Sequence, residues 1–217
     1  MLATKISFMN EIANICERVA ADVNQVRIGI GSDKRIGYGF IYPGAGYGGS
    51  CFPKDMKALN KIAEEHGYKA SLIESVENIN DRQKYGAAKK VTKRGGEDRT
   101  GKTFGLWGLS FKPGTRDMRE APALYVVKEL VKRGAEIKAY DPKAITEAKE
   151  HYLKGIDNVE YYESKSEVLR NSVALILLTE WKEFRSPDFE EIKDQLRTPV
   201  IFDGRNQYIA FNLPEKG

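Results

Sequence analysis

Cys51, Lys54 and Asp55 are the residues of this 217-residue sequence whose types and spacing could do chemistry. They close the stretch Gly44-Ala-Gly-Tyr-Gly-Gly-Ser-Cys-Phe-Pro-Lys-Asp55, in which Pro53 suits the first turn of a helix and so sets Cys51 at or just ahead of a helix N-terminus. The positive potential of that helix end, with Lys54 nearby, favours the thiolate, the nucleophilic form of cysteine. Asp55, four residues on, falls one turn away on the same side, where a carboxylate can orient a water or bond to a reacting oxygen. No histidine base accompanies the thiol, so the residues alone allow a small buried cysteine in a tight turn equally well.

The same stretch contains Gly44-x-Gly46-x-x-Gly49, a literal match to the dinucleotide fingerprint. That fingerprint follows a strand and opens a helix inside a strand-helix-strand unit. Here the preceding Phe40-Ile-Tyr-Pro is short and broken by proline, and strand-helix alternation starts only about 50 residues later. The glycines are therefore read as letting backbone N–H groups approach a ligand closely, not as a Rossmann loop.

A second group of candidates lies at strand ends. Phe104-Gly-Leu-Trp-Gly-Leu-Ser-Phe-Lys112 runs from a strand into a turn, followed by Pro113-Gly-Thr-Arg-Asp-Met-Arg-Glu120. Ligands of open parallel sheets bind beyond the strand C-termini, which makes Lys112, Arg116 and Arg119 anion contacts if the loop is more than a solvated basic turn. Phe202-Asp-Gly-Arg205 ends another strand in the same way, and two cation-bearing strand ends favour a phosphate site over either alone.

The elements that must position these groups fall into two regimes. Leu2, Ile6, Met9, Ala13, Cys16 and Ala20 recur at helical spacing and predict an amphipathic helix ending near Ala21, with Cys16 as a buried structural residue. Asp22 caps a short helix ended by Gly29 and Gly31, a glycine-rich loop runs from Gly37 to Ser50, and the helix entered at Pro53 stops at Gly67. Ser71 to Arg94 reads as one long helix, and Gly95 to Gly101 as a linker. Beyond it strands are expected at Lys102–Leu109, Glu136–Tyr140, Val159–Tyr162, Val173–Leu178 and Val200–Asp203. They alternate with helices at Ala121–Arg133, Ile145–Leu153, Ser166–Asn171 and Asp188–Leu196. The fold expected is α/β: a helical region over 1–95, followed over 101–217 by a Rossmann-like, doubly wound parallel sheet.

Composition narrows the function classes. Hydrophobic residues at 41% and charged residues at 30% are an ordinary globular balance that argues against long disorder. No stretch approaches the roughly 20 apolar residues of a membrane span, and the first residues lack the pattern of a signal peptide, so a cytoplasmic location is expected. The 35 Lys and Arg exceed the 31 Asp and Glu by only 4, without a basic block, and no aromatic-basic interleaving suggests nucleic acid. The two cysteines lie in unlike contexts without the spacing of a metal site, and no metal is expected.

The motifs "LATKISFMNEIANICE", "DKRIGYGFIYPGAGYGGSCFPKDMKAL", "GLSFKPGTRDMREAPAL", "AYDP", "LLTEWKEF" and "IFDGRN", in this order, closely resemble the nucleotide-sugar 6-dehydrogenases. Within that family the wording leans toward enzymes of UDP-glucose rather than those of GDP-mannose or UDP-N-acetylmannosamine. The resemblance implies oxidation of the sugar C6 alcohol to a carboxylate in two NAD-dependent hydride transfers. A cysteine attacks the intermediate aldehyde, the thiohemiacetal is oxidised to a thioester, and water releases the acid. Such chemistry uses a thiolate without a histidine triad, which suits Cys51 as nucleophile.

By the same resemblance, Asp55 assists the water and the polar steps, and Lys54 and Arg119 lie toward NAD. Phe40, Ile41, Tyr42 and the backbone of Gly46 and Gly48 wrap the sugar and diphosphate. Phe111, Lys112 and Arg205 hold the UDP part, and Arg35 reaches the substrate of a neighbouring subunit in a homodimer built on the central helices. The family also carries an NAD-binding domain of about 200 residues, the size of a whole domain, with a catalytic Lys, Asn, Thr and Glu that do not occur at matching positions here. The chain is therefore expected to comprise the central and UDP-binding portions, to bind UDP-sugar weakly and to reduce no NAD alone. A non-catalytic module that dimerises and holds UDP is the competing expectation.

Overall fold

The structure, a computed structural model, describes residues 1–211 and 213; residues 212 and 214–217 of the predicted second region lie outside these. Five helices come first: α1 (Leu2–Val19), α2 (Val23–Gly31), α3 (Cys51–Glu65), α4 (Ser71–Lys84) and α5 (Gly86–Gly95). Asp22 caps α2 as its sequence suggests, its carboxylate accepting from the Asn24 amide at 2.7 Å. Helices α1, α3 and α4 pack around Ala3, Tyr47, Met56 and Val76. The stripe on α1 does bury Cys16, which is a free thiol.

The long helix expected over Ser71–Arg94 is instead two helices broken at Tyr85. At a φ of −91° and a ψ of −2° its amide donates three residues back, to the Arg82 carbonyl at 3.3 Å, and Gly86 opens the next helix. The break frees α4 to face α1 and α3 while α5 packs on the sheet side, and the Tyr85 ring seats edge-on against Tyr125 at 5.5 Å.

Five parallel strands follow among the described residues: β1 (Thr103–Trp107), β2 (Glu136–Tyr140), β3 (Val159–Tyr161), β4 (Ala174–Leu177) and β5 (Ile201–Asp203). Their order in the sheet is β3-β2-β1-β4-β5, so the chain reverses its direction of progress between β1 and β4. This is the doubly wound arrangement, with its crevice at the C-terminal ends of β1 and β4. Helix α6 (Pro122–Lys132) covers one face and buries Ala123, Val126, Val127 and Leu130. The other face packs Trp107, Leu175 and Leu177 against Phe184 and Ile192, the latter on α8 (Phe189–Gln195).

Two other expectations are corrected. Ser166–Asn171 forms successive turns, with amides donating three residues back and Asn171 at a φ of 61°, outside helical geometry. Ile145–Leu153 begins as the short α7 (Ile145–Glu147) but widens at once into a π-helical turn over Ala148–Tyr152.

The β2 end explains why β1 stops at Trp107 and not at Leu109. Asp141 is buried, and its Oδ2 accepts from the Leu109 amide at 2.8 Å, the Ser110 amide at 3.0 Å, the Ser110 hydroxyl at 2.9 Å and the Trp181 indole N–H at 3.1 Å. Its Oδ1 accepts from the Lys143 and Ala144 amides, both at 2.9 Å. The carboxylate thereby pulls the chain out of strand geometry and fixes the turn that carries Phe111 and Lys112.

Candidate functional site

The segment from Gly44 to Ser50 has no strand before it and runs directly into α3, so the glycine motif is not a dinucleotide loop. It is irregular chain held from three sides. The Gly44 amide donates to Asn10 of α1 at 2.8 Å, and its carbonyl accepts from Gln83 of α4 at 2.7 Å. Asn80 of α4 clasps Tyr47, accepting from its amide at 2.8 Å and donating to its carbonyl at 3.1 Å.

The third side is the loop after β1. The Gly49 amide donates to the Arg119 carbonyl at 2.6 Å, the Phe111 ring lies where a Cβ on Gly49 would stand, and a Cβ on Gly48 would overlap the Glu120 carbonyl. The glycines thus permit close approach to protein backbone as well as to any ligand. Among the described residues the buried Gly46 and Gly48 amides make no hydrogen bond.

Cys51 opens α3 as its first residue and is exposed, with the Ser50 hydroxyl 3.7 Å from its sulfur. No side chain caps this helix end, so its first-turn amides face the space beside the thiol. Asp55 stands one turn on and is exposed, with Lys54 within 3.5 Å of its carboxylate. Arg119 is pinned by a two-pronged contact with Asp117 at 2.6–3.1 Å. The hydrogen bond to Asp117 and, less strongly, the Cys51 sulfur raise the guanidinium above its ordinary range.

Arg205 follows β5 and reaches across the crevice. Its Nε donates to the Leu178 carbonyl at 2.6 Å, beyond β4, while a terminal nitrogen reaches the Phe111 carbonyl at 3.4 Å, beyond β1. The Lys112 ammonium lies 5.3 Å from the Phe111 ring centroid. Phe111, Lys112, Arg119 and Arg205 therefore gather around the loop that leads to Cys51.

The remaining candidates stand further out. Phe40, at a φ of 64°, packs edge-on against Phe52 at 6.3 Å, next to the thiol in sequence. Ile41 is buried beside Gly31 of α2, and Tyr42 is exposed under Arg27, whose guanidinium is 4.4 Å from the ring centroid. Arg35 is almost fully exposed and grips Asp33 at 2.6 Å. Arg116 pairs with Glu147 at 3.3 Å, away from this cluster.

Sequence reasoning missed the supports. Lys84 of α4 is buried and meets Glu120 at 2.8 Å, where the Tyr125 hydroxyl also donates and Lys57 of α3 approaches at 3.3 Å. Desolvation pulls the Glu120 carboxyl upward, but the Lys84 and Tyr125 hydrogen bonds and the Lys84 charge outweigh it and hold it at about 2. The only signal was the polar run Asn80, Gln83, Lys84 at helical spacing, which is indistinguishable from a solvated face until its partners are known.

The doubly wound sheet does not fit NAD. A dinucleotide site there needs a glycine fingerprint after β1 and a free carboxylate after β2, whereas the turn is Ser110-Phe-Lys-Pro-Gly-Thr and Asp141 is saturated by six donors. Among the described residues no group of His, Cys, Asp and Glu could hold a metal ion, and no helix is long and apolar enough to cross a membrane.

Comparison with known proteins gives this geometry its context. The chain is 44% identical over its whole length to a UDP-glucose 6-dehydrogenase of Pseudomonas aeruginosa, of which it covers 48%. A UDP-glucose 6-dehydrogenase of Bacillus subtilis is 48% identical over 95% of the chain and 46% of its own length. The structure of a UDP-glucose dehydrogenase from Pyrobaculum islandicum superposes with a TM-score of 0.86 at 34% identity, covering 97% of this chain and 46% of that one. The chain thus spans about half the length of the curated relatives it matches. Residues 1–82 match the central domain, and residues 105–210 the UDP binding domain, of one family. The chain belongs to the UDP-glucose/GDP-mannose dehydrogenase family.

Proposed function

We propose that this chain supplies the reacting thiol and the nucleotide-sugar cradle of an NAD-dependent UDP-glucose 6-dehydrogenase, which converts UDP-glucose to UDP-glucuronate. The observation that carries the reading is the meeting of an exposed thiol at an uncapped helix N-terminus with the strand-end crevice of a UDP binding domain. In this reading Phe111, Lys112 and Arg205 hold the UDP part. The unpaired amides of Gly46 and Gly48 bind diphosphate or sugar oxygens, with Phe40, the Ile41 backbone and Tyr42 forming the rim.

The sugar C6 then comes to Cys51, whose sulfur adds to the aldehyde to give a thiohemiacetal; loss of a hydride and a proton turns that adduct into a thioester, and a water that Asp55 orients hydrolyses it, freeing the carboxylate and the thiol. NAD supplies the hydride acceptor for each oxidation. Lys54 and Arg119 are the cations this chain turns toward it, and no step is assigned to the doubly wound sheet. Free thiols and a supply of nucleotide sugar suit the cytoplasm.

The partner in the assembly is a second copy of the chain. Phe8, Ile15 and Val19 form an exposed apolar stripe on α1, a face suited to a homodimer through the central helices, from which Arg35 would extend to the neighbouring substrate. Calorimetric titration of the 217-residue chain with UDP-glucose, GDP-mannose and UDP-N-acetylmannosamine tests the reading: UDP-glucose should bind with the highest affinity. Preference for either of the other sugars, or absence of binding to all three, overturns it. The chain alone should bind weakly and produce no NADH, and steady NADH production would contradict that part.

A further inference from the structure

We infer that Glu120 is a positioning residue, clamped by Lys84, Tyr125 and Lys57, that fixes Arg119 and the Gly48–Gly49 backbone beside Cys51. Its carboxylate gathers donors from three helices: Lys57 on α3 and Lys84 on α4, both distant in sequence, and Tyr125 on α6, five residues on. Lys84 is 2% exposed, and a lysine so enclosed costs stability unless its charge is matched, so the pair holds one geometry and resists rearrangement.

That geometry is transmitted through the main chain. Glu120 adopts a φ of 52°, a conformation that a non-glycine residue keeps only when its surroundings over-determine it. Its own carbonyl abuts Gly48, and the preceding carbonyl, of Arg119, accepts from the Gly49 amide at 2.6 Å. Cys51 follows two residues later. Displacing Glu120 is therefore expected to move the Arg119 main chain, and with it the guanidinium that Asp117 holds, together with the entry to α3.

The inference deepens the function proposed above and takes its catalytic meaning from it, but its test needs no nucleotide sugar. The full 217-residue chain is alkylated at low ionic strength with anionic iodoacetate and neutral iodoacetamide, and the ratio of the two rates at Cys51 is read by peptide mass spectrometry. A cation held beside the sulfur raises that ratio. Arg119→Gln should lower it, and Glu120→Ala should lower it by a similar factor, about threefold or more. Glu120→Gln, which keeps the side-chain length and an acceptor, should hold the ratio at or above the unsubstituted value, since a negative charge is lost.

In the Arg119→Gln background, Glu120→Ala should add nothing. Equal ratios for Glu120→Ala and Glu120→Gln, or additive losses in the double variant, overturn the inference. Should Glu120→Ala fail to fold, Lys84→Met carries the same expectation at about twofold, and an unchanged ratio there is equally fatal. Absence of UDP-sugar binding by the unsubstituted chain would sink the proposed function and leave this positioning result standing.

Discussion

Gly48 lies against the carbonyl of Glu120 so closely that a single added methyl group would overlap it. Gly48→Ala should therefore separate the glycine loop from the loop after β1 and destabilise the chain by about 2 kcal/mol, since the atom it meets is backbone and cannot rotate away. Gly29→Ala is the contrasting change. That residue lies inside α2 with nothing within 4 Å of an added Cβ, and alanine there should stabilise by about 0.5–1 kcal/mol. Thermal melts of the two variants should move in opposite directions.

Asp141→Asn should be far more damaging than its size suggests. The amide nitrogen of Asn cannot accept, so at least two of the six donors now satisfied by the carboxylate would lose their partner in a buried site. A loss of about 3 kcal/mol is expected, or about 6–12 °C in the melting midpoint for a chain of this size. Because the Trp181 indole is among the donors, its fluorescence should change in the folded state as well.

Glu120 predicts a specific acid sensitivity. Its folded carboxyl stands at about 2, below the unfolded value near 4.5, so the stabilisation it provides is complete above the unfolded value and is lost as pH falls toward 2. The ceiling is about 3 kcal/mol, reduced because the side chain keeps about a third of its surface in water. Denaturant unfolding followed from pH 6 to pH 2 should show a steeper decline in the unsubstituted chain than in Glu120→Gln.

The two thiols should separate cleanly. Cys51 is exposed and Cys16 buried, so brief iodoacetamide treatment of the folded chain should label Cys51 alone, and both only after unfolding. Equal labelling in the folded chain would contradict the placement of α1.

The fold was legible where one residue type has one physical outcome. Asp22 caps α2 as its type suggests, and the short apolar run around Ala174–Leu177, between turn signals, is a buried strand. The Tyr85 break was missed although Gly86 stands directly after it, because an isolated glycine is tolerated inside a helix and only the packing of Tyr85 against Tyr125 decides for an interruption. At the site, Cys51 was visible through Pro53, and the lack of a strand before Gly44 correctly rejected the dinucleotide reading. What holds the thiol in place was invisible: Lys84 looks like a surface lysine until Glu120, 36 residues on, folds over it. Paired charges from separate elements leave no local pattern to read.

The anchoring of Gly44, Tyr47 and Gly49 to Asn10, Gln83, Asn80 and Arg119 also bears on timing. The base of the thiol is thereby tied to α1, α4 and the loop after β1 at once. Among the described residues Phe40 and Tyr42 have no such ties and keep about half of their surface in solvent, so under the function proposed above ligand exchange rates should respond to changes there and leave the sulfur undisturbed.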